Sequence, residues 1–268
     1  MHMDHNATPP WPIAIARAKG AAHLSLKKSC QDFGAWTYIA TPSALIVAVA
    51  DGAGSADHAE EGAYLSVQKT LLFFKKIFKT EGIPQSESIF KHHAQTLIFD
   101  IQHLLKTKAK IKKQSLGAFS TTLLVFIATP QGYFFFQIGD GFGVIRRPNC
   151  TRYELLLTPQ KGEHINETRF ITSEHAAHEL AFCFGDVLPD FLAISTDGIE
   201  SVALKNPSFI PYSPFFEPLE AFIKSDLSPY EHSQKLATFL SSPRFDTRSS
   251  DDRTLFLASF QRNLKELP

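Results

Sequence analysis

Aspartates followed by glycine stand at the ends of three apolar segments of this 268-residue chain, where carboxylates from different strands can meet. The segments ALIVAVA, YFFFQIG and FLAIST lead into Asp51-Gly52, Asp140-Gly141 and Asp197-Gly198, and Asp251-Asp252 directly precedes the apolar segment TLFLAS. Carboxylates that converge repel one another, so a cluster of them is tolerable only with bound cations. Hard divalent ions such as Mg²⁺ and Mn²⁺ take oxygen ligands, and an all-aspartate cluster favours them over zinc. The sequence therefore predicts a site for these ions where the strands end.

Each Asp-Gly pair also has an interpretation without a ligand. Asp-Gly is a strong hairpin signal, and Asp140-Gly141 lies between two strand candidates, so a hairpin turn remains open there. Asp51 and Asp197 are followed by helical patterns, for which the competing interpretation is a helix N-cap. A glycine after each aspartate lets the backbone approach a metal closely and offers a carbonyl oxygen as a ligand.

The hydrophobic pattern predicts a mixed α and β domain with its strands in two antiparallel groups. Alternating or fully apolar runs predict strands, and apolar residues spaced three and four apart predict helices. The predicted strands are residues 36–40, 44–50, 119–128, 133–138, 144–147, 153–157, 191–195 and 254–259. The predicted helices are residues 60–79, 89–105 and 230–240, with a helix start at Gly198 and a loop at residues 207–218.

The chain shows no internal repeat and no linker, which predicts a single folded domain. We expect residues 1–20, which contain three prolines, to form an N-terminal arm. Residues 21–262 are expected to form the domain, and residues 263–268 a C-terminal tail. The weak pattern of residues 159–190 is typical of loops with one short strand.

The charge and the cysteine content limit which partners the protein can bind and in which cellular compartment it is expected. The 27 basic and 27 acidic residues cancel, so no overall positive field exists to hold a nucleic acid or an anionic membrane surface. The apolar runs are far shorter than the roughly 18 residues that span a bilayer, and the N-terminus lacks the pattern of a secretory signal. Cys30, Cys150 and Cys183 lack CxxC spacing. These features predict a cytoplasmic protein whose partners are neither nucleic acid nor membrane.

Six short motifs occur in one order along the chain and together resemble a known family. They are CQD at 30–32, ADGAGS at 50–55, GAFSTT at 117–122, GD at 139–140, STDG at 195–198 and DDRT at 251–254. In this order they are similar to the metal-dependent serine/threonine protein phosphatases of type 2C, in a bacterial branch, from residue 23 to residue 259. The resemblance implies an α+β fold, a four-layer α-β-β-α sandwich with two antiparallel sheets flanked by helical layers.

The resemblance also implies a site for two Mn²⁺ or Mg²⁺ ions, with a third, weaker position. Two ions roughly 3.5–4 Å apart lower the pKa of a bridging water, which then attacks phosphorus in line without a covalent phosphoenzyme. The residues that match the ligands are Asp51 as the bridging carboxylate, the Gly52 carbonyl on the first ion, Asp197 and Asp251 on the second ion, and Asp140 on the third.

The first motif of the family departs from its usual pattern here. Asp32 matches its acidic residue, which acts near the metals and often through water. The arginine that usually stands five residues earlier is Lys27, with Lys28 beside it. Lysine offers a point charge to a substrate phosphate but not the planar fork of arginine. Cys30 replaces the usual asparagine, and the segment 162–168 also resembles the bacterial branch, where we expect a loop beside the cleft.

The implied function is hydrolysis of phosphoserine and phosphothreonine in proteins by a metal-activated water. The expected substrate is a phosphoprotein made by a serine/threonine kinase in bacterial signalling. Lys27 leaves open an alternative, a catalytically weak or inactive phosphatase-like module that binds phosphoproteins. A dinucleotide-binding enzyme is disfavoured, because the turn at Gly52-Ala53-Gly54 has Asp57 at its third small position, where the charge would face a pyrophosphate.

Overall fold

Two five-stranded antiparallel sheets form the centre of the fold in the computed structural model, which describes residues 8–159 and 169–260. The first sheet has the strand order β1-β12-β9-β6-β7 and the second has the order β2-β3-β4-β5-β8, while β10 and β11 pair separately. The strands are β1 (Ile13–Ala18), β2 (Phe33–Ile39), β3 (Ala44–Ala50), β4 (Leu123–Thr129), β5 (Gly132–Ile138), β6 (Phe142–Arg146), β7 (Tyr153–Leu155), β8 (Ala181–Gly185), β9 (Phe191–Ser195), β10 (Leu204–Lys205), β11 (Ile210–Pro211) and β12 (Arg253–Ser259).

Two long helices and several shorter ones lie outside the sheets. The helices are α1 (Ala21–Ser25), α2 (Ala59–Thr80), α3 (Glu87–Lys112), α4 (Glu200–Ala203), α5 (Ser213–Ile223), α6 (Pro229–Leu240) and α7 (Pro243–Asp246). Two turns of 3₁₀ helix span Leu116–Phe119 and Asp197–Ile199.

The sheets pack face to face, and each carries helices on its outer face. The strand β3 is apolar throughout because both of its faces are covered: Val47 packs between the sheets and Ile46 packs towards the helices. Phe74 of α2 belongs to the core on the outer face of the second sheet. Phe216 of α5 and Leu236 of α6 belong to the core on the outer face of the first sheet. The implied four-layer sandwich is therefore confirmed.

The first strand lies inside the region that the sequence analysis expects to be an arm. Ile13 pairs with Ala258 and Ala18 pairs with Arg253, which places β1 beside β12 in the first sheet. The arm prediction is therefore wrong for residues 13–18. Alternation of isoleucine with alanine over so short a segment, directly after prolines, gives a weak strand signal.

Two further predicted boundaries are wrong. The strand predicted from residue 119 begins only at Leu123, because the preceding residues form the 3₁₀ turn Leu116–Phe119. The loop predicted at residues 207–218 contains the start of α5, although Pro218 lies inside that helix. One of the prolines of α5 occupies the first turn, where no hydrogen-bonded N–H is required, and tertiary contacts outweigh the cost of the other.

A buried ionic cluster joins α5 to the first sheet and adds to the apolar packing of this proline-containing helix. Arg146 of β6 donates to Glu220 at 2.6 Å, and the Tyr153 hydroxyl of β7 donates to the same carboxylate at 2.8 Å. Burial by itself raises the pKa of Glu220, but hydrogen bonds from Arg146, Lys224 and Tyr153 outweigh that cause and lower it to about 2. The carboxylate is therefore ionised and fully bonded at neutral pH.

Within residues 8–159 and 169–260, no helix combines the length and the apolar character that a bilayer span requires. The segment 162–168 and the tail 263–268 lie outside the described residues.

Candidate metal centre

Three of the predicted carboxylates meet at one edge of the sandwich. Asp51 follows β3 and Asp140 follows β5, both in the second sheet, while Asp197 follows β9 in the first sheet. One carboxylate oxygen of each residue lies within 4.8 Å of those of the other two. The structure therefore brings these three aspartates together, and their role as metal ligands stays a prediction.

Asp140 lies where the chain passes from one sheet to the other. The strands β5 and β6 belong to different sheets and do not pair, so the hairpin interpretation of Asp140-Gly141 is wrong. Gly139 has a φ of 107°, and a Cβ there would fall 2.6 Å from the Cβ of Thr122. A left-handed glycine in this tight position turns the chain so that Asp140 faces the other two aspartates.

The helix-cap interpretations of Asp51 and Asp197 are also wrong. The N-cap residue of α2 is His58, well beyond Asp51. Thr196 is the N-cap residue of the 3₁₀ turn after β9, and no side chain caps that turn. Both carboxylates are thus available for the cluster.

The GAFSTT motif fixes the backbone of Asp51. The Thr121 hydroxyl donates to the Asp51 carbonyl oxygen at 2.8 Å, and so does the Thr122 N–H, also at 2.8 Å. In return the Asp51 N–H donates to Thr122 Oγ1 at 2.9 Å. Sequence reasoning quoted this motif but gave no role to the two threonines. No local signal identified them, because they meet Asp51 only through the pairing of β3 with β4.

Two of the glycines after aspartate are required by close contact between backbone segments. A Cβ on Gly198 would fall 1.9 Å from the Asp252 carbonyl oxygen. A Cβ on Gly52 would fall 2.7 Å from the Ala59 carbonyl oxygen. These glycines therefore let the loops that bear the carboxylates pack together, and the role of the Gly52 carbonyl as a ligand stays a prediction.

Asp32 lies buried directly behind Asp51. Its side chain is 1% exposed and accepts a hydrogen bond from the Thr196 hydroxyl at 2.8 Å. Its charge contributes to the raised pKa of Asp51, which places the two carboxylates beside each other. The Arg17 guanidinium donates to the Asp32 carbonyl oxygen at 2.9 Å, which fixes the backbone as well.

The two neighbouring aspartates before β12 have different environments. Asp252 is 2% exposed, and its carboxylate accepts from the N–H groups of Gly20 and Gln31 at 2.8 and 2.6 Å. Its Oδ2 also lies 2.7 Å from His23 Nδ1. Asp252 thus joins the loop before β2 to β12, a structural role that sequence reasoning missed because its partners are remote in the chain.

Asp251, the predicted ligand of the second ion, is exposed and lies outside the group of three. Its Oδ1 accepts a hydrogen bond from the Asp252 N–H at 2.8 Å. Its charge nevertheless contributes to the raised pKa values of Asp51 and Asp197, which places it beside the cluster. Its role as a ligand stays a prediction.

Desolvation and mutual repulsion raise the pKa values of the central carboxyls. Desolvation is the largest cause for Asp51, whose pKa lies well above its usual range, and the charges of Asp32 and Asp197 add to it. Desolvation raises the pKa of Asp32 to about 7, although the hydrogen bond from Thr196 lowers it. Desolvation, followed by the charge of Asp140, raises the pKa of Asp197 to about 8. Without a cation the cluster therefore retains protons near neutral pH.

The carboxylate oxygens of this cluster are suitable ligands for hard divalent cations. Carboxylate oxygens are the ligands that Mg²⁺ and Mn²⁺ prefer. Asp32 Oδ1 and Asp197 Oδ1 are buried and have no hydrogen-bond partner within the described part of the chain. Buried acceptors without donors are costly, and a nearby positive charge offsets that cost.

The two lysines of the first motif differ in their surroundings. Lys27 is exposed and has a φ of 52°, in the left-handed region. Lys28 lines a cavity of about 290 Å³ together with residues of both loops that bear Asp32 and Asp51. No contact places Lys27 at the carboxylates within the described residues, so its role as the phosphate-binding residue stays a prediction.

Comparisons with known proteins agree with this architecture. A model of the family described as protein phosphatase 2C matches residues 19–241. Serine/threonine-protein phosphatase 3 of Escherichia coli (strain K12) is 33% identical over 258 residues, which cover 92% of this chain and 98% of that protein.

Solved structures show the same fold at low sequence identity. A bacterial serine phosphatase superposes with a TM-score of 0.63 at 14% identity, covering 94% of this chain and 99% of the other. The serine/threonine phosphatase Stp1 from Staphylococcus aureus superposes with a TM-score of 0.62 at 15% identity, covering 98% and 99% of the two chains.

Proposed function

Since this chain belongs to the protein phosphatase 2C family and is a metal-dependent phosphoprotein phosphatase, we propose that Asp51, Asp140 and Asp197 hold its catalytic cations. The observation that supports this most directly is the convergence of three carboxylates from three strand ends within 4.8 Å. We assign Asp251 as a further ligand and the Gly52 carbonyl as a backbone ligand. No observation favours the inactive binding module that the sequence left open.

We propose Mn²⁺ or Mg²⁺ as the ions, in two principal positions with a third, weaker one. When bound, they neutralise the phosphate and lower the pKa of a water molecule so that it can attack phosphorus. The protein itself orients the centre: Thr196 holds Asp32 through a hydrogen bond, and the Asp32 carboxylate lies against that of Asp51. We therefore assign Asp32 as a positioning residue.

The expected substrates are proteins that carry phosphoserine or phosphothreonine made by a serine/threonine kinase. We place the enzyme in the cytoplasm, in keeping with three widely separated cysteines that are all free. We also propose that the catalytic domain begins at β1 rather than at residue 21, because β1 is a strand of the first sheet.

The lysine pair Lys27-Lys28 is our proposed contact for the substrate phosphate, and the cavity favours Lys28 as the larger contributor. Lys28→Ala is expected to raise KM about tenfold, the effect of losing one charge-assisted hydrogen bond. Lys27→Ala should raise KM by less than half that factor, and both variants should keep the metal affinity of the wild type. Steady-state kinetics and calorimetric metal titration measure these quantities. A larger increase of KM in Lys27→Ala than in Lys28→Ala would instead identify Lys27 as the main contact of the substrate phosphate.

Asp140→Asn separates a metal-binding role from a purely conformational one. Asparagine tolerates the same turn, so we expect the variant to fold normally and to keep its two tightly bound ions in calorimetry. Its turnover should fall about a hundredfold, close to 2.7 kcal/mol of transition-state stabilisation, and excess Mn²⁺ should not restore it. Asp186→Asn, at an exposed position beyond β8, is the matched control. Turnover equal to the wild type in Asp140→Asn would remove Asp140 from the centre.

A further inference from the structure

A strongly basic segment forms the C-terminal end of α3 and has no part in the proposed metal centre. Residues 106–113 contain five lysines and no acidic residue, although the chain as a whole carries no net charge. Lys106 and Lys110 are four residues apart, which places them on one face of the helix, and Lys113 is its C-cap residue. All three are exposed, and we call them the basic cluster.

The lysines of the basic cluster have no acidic partner in the described part of the chain. Within residues 8–159 and 169–260, no carboxylate forms an ion pair with Lys106, Lys110 or Lys113, whereas Lys112 pairs with Glu61 of α2 at 2.7 Å. Like charges three and four residues apart weaken a helix. The cluster therefore destabilises the end of α3 in the free protein, and an anionic partner removes that cost.

The dipole of α3 accounts for only part of this charge. Cations in the last turn of a helix offset the partial negative charge of its C-terminus, and Lys110 and Lys112 lie in that turn. The effect falls off within one turn, so it does not explain Lys106. It also does not explain why every charged residue of the segment is positive.

A surface cavity of about 280 Å³ adjoins the basic cluster. Lys106 and Lys110 line it, together with His103 and Gln114, which add side chains that can form hydrogen bonds. The Gln114 N–H donates to the Ala109 carbonyl oxygen at 2.9 Å, which fixes the chain directly after the helix. The lysines therefore border a concave surface, on which an elongated ligand can contact more than one of them.

The basic cluster lies at the edge of the sandwich that bears the proposed metal centre. The end of α3 leads into the 3₁₀ turn Leu116–Phe119 and then to Thr121, whose hydroxyl donates to the Asp51 carbonyl oxygen at 2.8 Å. At the start of α2, the His58 N–H donates to the Ala118 carbonyl oxygen at 2.7 Å. A polypeptide bound at the aspartates can therefore extend to the lysines.

We propose that the basic cluster binds an acidic segment of the phosphoprotein substrate, separate from the phosphorylated residue. At 1.5 Å per residue, Lys106 and Lys113 are roughly 10 Å apart along the helix, a distance that three or four residues of an extended chain span at roughly 3.3 Å each. A short acidic segment is favoured over a nucleic acid, because the patch is short and the chain has no net positive charge. The proposal rests on the proposed phosphatase function and adds to it a class of preferred substrate.

The test compares two phosphoserine peptides that differ only in a block of about four residues, which are glutamates in one peptide and glutamines in the other. A flexible linker of about ten residues, with ends roughly 16–19 Å apart, joins the block to the phosphoserine. The wild type should show about tenfold higher kcat/KM for the glutamate peptide at low salt, mainly through a lower KM. Salt at about 0.5 M should remove most of this preference, because it screens exposed charges.

Two double variants with the same change in charge test the position of the binding surface. Lys106→Gln/Lys110→Gln should reduce the preference for the glutamate peptide to about twofold. Lys76→Gln/Lys79→Gln is the matched control, because it removes two exposed lysines at the C-terminal end of α2, and it should keep the wild-type preference. Both variants should hydrolyse p-nitrophenyl phosphate at the wild-type rate.

Reversal of the charge gives a result that a folding defect cannot produce. Lys106→Glu/Lys110→Glu should raise kcat/KM for a peptide with a lysine block above the value of the wild type, because the new carboxylates attract that block. Wild-type kcat/KM for the lysine peptide in this variant would count against the proposal.

The failure of this inference can be distinguished from the failure of the proposed function. Equal kcat/KM for the glutamate and glutamine peptides, or a preference that Lys106→Gln/Lys110→Gln leaves unchanged, would overturn the inference alone if p-nitrophenyl phosphate is hydrolysed with Mn²⁺. If an RNA of about ten nucleotides then binds the wild type and not this variant, in fluorescence anisotropy, the cluster is a nucleic-acid site instead. A wild-type enzyme that hydrolyses neither peptide nor ester with Mn²⁺ or Mg²⁺ would overturn the proposed function itself.

Discussion

Asp51→Asn should lower kcat/KM at least about a thousandfold, because the substitution removes one carboxylate of the proposed metal site that it forms with Asp140 and Asp197. Metal assistance contributes several kcal/mol of transition-state stabilisation, and about 4 kcal/mol corresponds to a factor of a thousand. Hydrolysis of a phosphopeptide with excess Mn²⁺, measured against the wild type, gives the result.

The same substitution should not unfold the protein. In the metal-free protein, Asp51 is a desolvated carboxyl that is repelled by the neighbouring aspartates, and the substitution replaces it with a neutral amide. The free energy of unfolding near pH 8 should therefore stay constant or rise. Asp226→Asn is the control, because Asp226 is exposed between α5 and α6, away from the cluster. Activity above a tenth of the wild type in a folded Asp51→Asn variant would contradict the assignment of Asp51.

Metal removal should make stability depend strongly on pH between about 5 and 8. The pKa values of Asp32 and Asp197 in the folded protein are raised to about 7 and 8. A carboxyl whose pKa is raised by folding stabilises the fold while it is protonated, and this contribution is lost as the pH rises from the unfolded value towards the folded one. The EDTA-treated protein is therefore expected to be less stable at pH 8 than at pH 5.

Urea denaturation at both pH values, with EDTA or with Mn²⁺, checks this prediction. Bound cations displace the retained protons, so Mn²⁺ should stabilise the protein most at pH 8. Glu220 does not add to the pH dependence in this range. Its pKa is lowered to about 2, so it is ionised at both pH values and stabilises the fold equally at each. An EDTA-treated protein whose stability is flat or increases over this range would contradict the raised pKa values.

The sequence was sufficient to predict those features of the structure that depend on a local pattern of residues. The strand β3 begins and ends where its apolar run does, and the predicted helix at residues 60–79 differs from α2 by one residue at each end. The convergence of Asp51, Asp140 and Asp197 also followed from a local signal, since each residue directly follows an apolar strand segment.

The features that could not be predicted from the sequence depend on contacts between residues that are far apart in the chain. The pairing of β1 with β12 joins both ends of the described chain. Asp252 is held by Gly20, His23 and Gln31, and no spacing pattern predicts such partners. The helix α5, which contains an internal proline, is held by the burial of its apolar face and by the contacts of Arg146 and Tyr153 with its Glu220. In each case tertiary contacts outweigh local propensity.

The position of β12 between β1 and β9 has a consequence for how the enzyme becomes active. Asp32 and Asp51 come early in the chain, while Asp251 comes directly before β12, so the proposed catalytic edge joins segments separated by most of the polypeptide. Such a topology has a high contact order, and a high contact order slows folding because long loops must close before the contacts between their ends can form. During synthesis the early strands must wait for the last one before the first sheet is complete. A chain that ends before residue 251 lacks Asp251 and also β12, the strand that joins β1 to β9, so we expect phosphatase activity only from the finished fold and not from its fragments.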